Sequence, residues 1–60
     1  MQANVGDTIV VPIGRGQAGE QRGEILEVHG EDGRPPYLVR FDDGHTTRMF
    51  PGPDCTVVPA

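Results

Sequence analysis

Apolar and polar residues alternate in the middle of the chain. Tyr37, Val39 and Phe41 each lie two positions apart, which is the period of a strand with one buried face. Asp43 and Gly44 follow, and both residue types tolerate the positive φ angles that a two-residue hairpin turn needs. The pattern therefore predicts an antiparallel hairpin at this point of the sequence.

Gly and Pro residues lie between the apolar runs rather than inside them, as they do in all-β domains. Five short strands are predicted, at about residues 8–13, 22–29, 36–41, 46–50 and 55–58. Ile25 and Leu26 are adjacent, so strict alternation fails in the second strand. Either the strand bends so that both faces are buried in turn, or a bulge lies between Ile25 and Val28. Residues 51–54 form a tight corner, predicted as one turn of 3₁₀ helix.

Five short strands, a long Gly-rich loop after the first strand and a tight hairpin predict an all-β, five-stranded SH3-like barrel. The OB fold is the other small five-stranded barrel, but it usually runs longer and carries a helix. Sixty residues predict a single domain over residues 1–60. The predicted core comprises Ile9, Val11, Leu26, Val28, Tyr37, Val39, Phe41, Phe50 and Val57, with Ile25 and Met49 left open. Tyr37 is expected to keep its hydroxyl in water.

The charge balance is acidic, with nine Asp and Glu against five Arg and no Lys, giving a net charge of −4. A nucleic-acid-binding domain is expected to carry a basic excess, because phosphate neutralisation supplies most non-specific affinity. Nucleic-acid contact is therefore disfavoured, although the sequence still allows a local stripe of Arg residues. The single cysteine and the absence of a signal-like start predict a reducing cytoplasm. No apolar run approaches the roughly 20 residues of a membrane helix.

Two motifs with a chemical interpretation have a simpler structural one. Residues 14–19 match G-x-G-x-x-G, but no helix follows to present amides to a phosphate, so a mobile loop over residues 14–21 is predicted. His45 beside Asp42 and Asp43 has the residue types of acid–base chemistry, yet Asp-Asp-Gly is also ordinary turn chemistry at an exposed tip. One Cys and two His without paired spacing disfavour a metal site. No catalytic residue, cofactor or metal is predicted.

Several segments together carry a family resemblance that covers nearly the whole chain: Val5-Gly6-Asp7, Ile9-Val10-Val11 and residues 22–28, 35–45 and 50–54. They resemble a family of small actinobacterial proteins known as domain of unknown function number nineteen-eighteen. The resemblance implies an SH3-like β-barrel of bacterial cytoplasmic origin. It implies no established activity, cofactor or catalytic residue.

The sequence favours a non-enzymatic protein-interaction module, because no nucleophile lies near a base and so small a domain has little concave volume for a pocket. The candidate binding residues belong to the hairpin and its neighbouring strand face: Arg40, Asp42, Asp43, His45 and Arg48. The alternative is a nucleic-acid-contacting accessory module related to the SH3-like domains of transcription or translation, since an all-Arg cation set suits phosphate. A homodimer that covers an exposed edge strand is a further prediction, because the core is small.

Overall fold

A computed structural model describes residues 2–13 and 19–60 of the chain. Its strands are β1 (Thr8–Pro12), β2 (Glu20–Val28), β3 (Tyr37–Phe41), β4 (Thr46–Met49) and β5 (Thr56–Val58). Every neighbouring pair is antiparallel, and the strand order is β4-β3-β2-β1-β5. The predicted all-β class and SH3-like fold are confirmed. Most of the G-x-G-x-x-G loop, residues 14–18, lies outside the described residues.

The turn between β3 and β4 holds three residues rather than the predicted two. The amide of Gly44 donates to the carbonyl of Phe41 over 2.9 Å, and the amide of Phe41 donates to the carbonyl of His45 over 2.8 Å. Gly44 has a φ of 86°, whereas Asp43 is not among the residues with positive φ. This is a type I turn followed by a glycine bulge. One glycine suffices because only the third loop residue enters the left-handed region.

The strand β2 changes phase at Leu26. Ile25 and Glu27 pair with consecutive residues of β3, so Leu26 between them has no cross-strand partner. The extra residue turns Glu27 outward and brings Val28 against the core. Of the two predicted alternatives, a bend and a bulge, the structure contains the bulge, but the core assignment beside it is wrong. Ile25 is fully buried, whereas Leu26 is half-buried and lies outside the core cluster.

The core of the described chain lies on one face of the sheet. Its buried hydrophobic residues are Ala3, Ile9, Ile25, Tyr37, Val39 and Phe41, against which Val11, Val28, Met49, Cys55 and Val57 are packed. Phe50 was predicted in this core, but it is 74% exposed. Met49 takes the inward position opposite Tyr37. Because neighbouring strand residues face opposite sides, the residue that follows Met49 turns away from the core.

The hydroxyl of Tyr37 is buried, so the prediction of a hydrated hydroxyl is wrong. The side chain is fully enclosed, and its hydroxyl donates to the carbonyl of Gly33 over 2.6 Å. The same carbonyl accepts the amide of Ala3 over 2.7 Å. Desolvation raises the pKa of Tyr37 above its usual 10.0. The hydroxyl therefore joins the strand to the N-terminal segment through one shared acceptor.

The short 3₁₀ turn lies in a different connection from the predicted one. It spans Glu31–Gly33, between β2 and β3. At residues 51–54 the chain instead makes a simple turn, in which the amide of Cys55 donates to the carbonyl of Gly52 over 3.1 Å. The two prolines of this corner limit its backbone angles, but they do not produce a helical turn.

Candidate functional site

The tip of the β3–β4 hairpin, which comprises Asp42, Asp43, Gly44 and His45, is exposed. The Oδ1 atom of Asp43 accepts the amide of His45 over 2.8 Å, so this carboxylate stabilises the turn itself. The amide of Asp42 donates to the carbonyl of Arg22 over 3.1 Å. The tip is therefore attached to the neighbouring strand and has a defined direction relative to the sheet.

Arg40 lies on the outer face of the sheet, where its charge is compensated. It pairs with Glu24 in the β2–β3 ladder, and its Nη2 atom lies 3.3 Å from Oε1 of Glu24. Arg22 lies on the same strand as Glu24, and its Nη2 atom is 3.2 Å from Oε1 of Glu20. A depression of about 350 Å³ lies beside these pairs and is lined in part by Arg22, Glu24, Arg40 and Asp42. Its charges are balanced within the protein.

Arg48 differs from these two arginines, because it forms no ion pair with any residue that the structure describes. It lies in β4 opposite Leu38. On the other side of Leu38 is Glu27, whose carboxylate is 2.8 Å from Nε2 of His29. The carboxylate in the same cross-strand row is thus already in contact with another side chain. Of the two outer-face arginines in the hairpin, Arg48 is the one without an ion pair among the described residues.

The strand β4 forms one edge of the sheet. The hydrogen bond from the Phe41 amide to the His45 carbonyl shows that the backbone groups of His45 face β3. Antiparallel ladders alternate, so the backbone groups of Thr47 and Met49 also face β3, and those of Thr46 and Arg48 face away. We call the row formed by Thr46, Arg48 and the exposed Phe50 the open edge. It combines hydrogen-bonding groups, a cation and an aromatic ring.

The five candidate residues thus fall into two groups. The hairpin tip contains Asp42, Asp43 and His45, with Arg40 two residues before it, whereas Arg48 belongs to the open edge. In residues 2–13 and 19–60, no three His, Cys, Asp or Glu side chains come together in a way that could hold a metal ion. In the same part of the chain, no helix has the length and apolar character needed to cross a membrane.

Sequence reasoning missed Asp7, which is only 6% exposed. Its Oδ2 atom accepts the amide of Asn4 over 3.0 Å, and its Oδ1 atom accepts the amide of Ala60 over 3.1 Å. A cavity of about 390 Å³ lies beside it, lined also by Gln2, Asp32, Val57 and Pro59. The Asn4–Asp7 spacing is a turn signal that could have been found, whereas the contact with Ala60 depends on the fold.

Fold and surface together define a small acidic protein of the SH3-like barrel class with an open edge strand. The chain belongs to the family described as Domain of unknown function (DUF1918), whose profile matches residues 1–57. The resemblance drawn from the sequence is thereby confirmed.

The relatives come from mycobacteria, which agrees with the actinobacterial origin that the resemblance implied. The chain is similar to the uncharacterized proteins Rv2302 of Mycobacterium tuberculosis and Mb2324 of Mycobacterium bovis, at 46% identity over 61 residues, which covers 100% of this chain and 76% of each relative. Rv0569, an uncharacterized protein of Mycobacterium tuberculosis, is 43% identical, covering 100% of this chain and 69% of the relative. No solved structure matches the chain significantly.

Proposed function

We propose that this protein is a non-enzymatic interaction module that binds another protein through its β3–β4 hairpin. The observation that carries the proposal is the exposure of Phe50. The chain has three aromatic residues; two of them, Tyr37 and Phe41, are buried, and Phe50 is 74% exposed. A 60-residue domain has little apolar surface to bury, so an aromatic outside the core points to burial against a partner.

The hairpin supplies the remaining contacts in this proposal. Arg40, Asp42, Asp43 and His45 present both charge signs and an imidazole at a turn that is fixed by its own hydrogen bonds. Protein interfaces typically combine polar contacts at their margin with an apolar contact, which Phe50 supplies at the far end of β4. The acid–base groups of the tip stand in water, which is why we infer binding rather than catalysis. A cytoplasmic location belongs to the same proposal and is supported by the lone thiol of Cys55.

Nucleic-acid contact is the alternative, and the arrangement of charges favours it less. Arg22 and Arg40 each lie within 3.3 Å of a glutamate oxygen. A phosphate would have to displace these carboxylates before it could bind either guanidinium. The net charge of −4 adds a long-range repulsion. A protein partner requires no such displacement.

The test is photo-crosslinking from the hairpin tip in native cell extract. A benzophenone amino acid replaces His45, and a matched control carries it at Thr56, which is also exposed but lies in β5, at the opposite edge of the sheet from the hairpin. We expect a discrete protein adduct from position 45 that an excess of unlabelled wild-type protein suppresses. We expect no such adduct from position 56.

Fluorescence anisotropy with DNA and RNA across a salt series completes the experiment. Nucleic-acid binding that weakens steeply with salt, together with no adduct at position 45, would establish the alternative in place of the proposal. Equal labelling from positions 45 and 56 would also contradict it, because the partner would then show no preference for the hairpin.

A further inference from the structure

The open edge can be described more sharply than the rest of the hairpin, and this inference rests on the proposed function. The amide and carbonyl groups of Thr46 and Arg48 point away from β3, as the ladder alternation requires. Among the described residues, the hydrogen bond found at these groups is a long one, which the Thr47 hydroxyl donates to the Arg48 carbonyl over 3.5 Å. Backbone groups in this position are a template for an added strand.

The side chains of the open edge indicate which strand fits. Arg48 has no carboxylate partner among the described residues, whereas Arg22 and Arg40 each have one. Opposite charges across a ladder are stabilising, and so is an aromatic residue opposite an aromatic or β-branched one. A complementary strand therefore places an acidic residue opposite Arg48 and an apolar residue opposite Phe50. The net charge of −4 disfavours a strongly acidic segment, so we expect a single carboxylate.

We propose that the open edge binds an extended segment of a partner protein as an added antiparallel strand, with the motif apolar-x-acidic. In an antiparallel pair the residue opposite Phe50 precedes the residue opposite Arg48 by two positions, which sets this order. A parallel strand would require the reverse order, acidic-x-apolar. The order of the two side chains in a bound peptide consequently reports the direction of the strand.

A second copy of this chain fits the edge less well than such a segment. The strand β4 consists of Thr46, Thr47, Arg48 and Met49, and it contains no acidic residue. Pairing two copies of β4 would leave both Arg48 side chains without a carboxylate across the ladder. Charge complementarity thus favours a different chain as the occupant.

The first experiment selects peptides from a random nine-residue phage library on the intact wild-type protein. We expect enrichment of apolar-x-acidic sequences. The variant Arg48→Glu should bind the selected consensus peptide about tenfold more weakly, because an attractive cross-strand pair becomes a repulsive one. The matched control is Arg34→Glu, an exposed arginine in the β2–β3 connection that also lacks an ion pair with the described residues. It changes the net charge equally and should leave the affinity unchanged.

The second experiment uses backbone N-methylation of the consensus peptide. The acidic residue opposite Arg48 exchanges hydrogen bonds with β4, so methylation of its amide should abolish binding. The amides of the two adjacent residues face away from β4, and their methylation should be tolerated. A groove that bound only side chains would not produce this alternation.

The outcomes separate this inference from the proposed function. An adduct from position 45, with peptides that ignore both Arg48→Glu and methylation, would leave the interaction module standing and overturn strand addition. Failure to enrich any peptide would also overturn it. A dimer of the protein alone in sedimentation equilibrium that Arg48→Glu dissociates would identify a second copy as the occupant. Enrichment of acidic-x-apolar peptides would refute the antiparallel direction.

Discussion

Replacement of Gly23 by alanine tests how closely β2 approaches the core. Gly23 is buried, pairs with Ile9 on one side and Phe41 on the other, and has no side chain to fill the space above it. A Cβ atom built on this residue would clash with Cγ1 of Val39 and lie 2.9 Å from Cδ1 of Phe41. The absence of a side chain thus lets β2 bend tightly across β3.

The expected cost follows from which atoms can move. Val39 is fully buried and β-branched, so its methyl groups have little freedom to rotate away. Overpacking of this kind costs about 1–3 kcal/mol, and the lower flexibility of alanine in the unfolded chain offsets about 0.4–1 kcal/mol. Gly23→Ala should therefore lower the unfolding free energy by about 1–2 kcal/mol. In a domain of this size that corresponds to roughly 5–15 °C in Tm.

Urea unfolding monitored by circular dichroism gives the free energies, and the control is Gly52→Ala. Gly52 has no positive φ and nothing within 4 Å of a built Cβ, so this substitution should be nearly neutral. In the double variant Gly23→Ala with Val39→Ala, the clashing methyl is gone, and the loss should be at least about 1 kcal/mol smaller than the sum of the single losses. If Gly23→Ala had the stability of the wild type, and the losses of Gly23→Ala and Val39→Ala were strictly additive in the double variant, the close approach of Gly23 to Val39 would be refuted.

Five other substitutions, at four positions, test the remaining assignments. Asp7→Ala should lower the free energy of urea unfolding by about 2–3 kcal/mol, because a buried carboxylate that accepts two amide hydrogen bonds is lost. Asp7→Asn should lose about half of that. Losses under about 0.5 kcal/mol in both variants would contradict these two hydrogen bonds. Tyr37→Phe should cost about 1 kcal/mol at pH 7. Burial raises the pKa of Tyr37, so the folded state retains its proton and the wild-type advantage is lost as the pH rises above 10.0; a gap that widens from pH 7 to pH 11 would refute this. Phe50→Ala should change the unfolding free energy by less than about 0.5 kcal/mol, whereas Phe41→Ala should cost about 3 kcal/mol or more.

The local pattern was enough to predict the strands and to locate the irregularity in β2, but it did not distinguish a bend from a bulge. The alternation of Tyr37, Val39 and Phe41 determines which face of β3 is buried, since side chains two positions apart lie on the same face. The adjacency of Ile25 and Leu26 likewise required a change of phase in β2. Within the hairpin, the same local information located the reversal but not its length, because Asp-Asp-Gly suits both a two-residue and a three-residue loop.

The exposure of Phe50 and the contacts of Asp7 depend on residues that are far apart in the sequence. Whether Met49 or Phe50 faces inward is decided by the register against β3, which places Met49 opposite Tyr37. No local pattern around Asp7 predicts the hydrogen bond that it accepts from the amide of Ala60, 53 positions later.

The charges show the same division. The sequence by itself determined an acidic all-β chain with five arginines and a hairpin at Asp43 and Gly44, because composition and turn chemistry are properties of neighbouring residues. Only the tertiary structure decided that Arg40 meets Glu24 while Arg48 meets no described carboxylate. Ion pairs across a sheet depend on strand order and register, and these are set by the packing of the whole core.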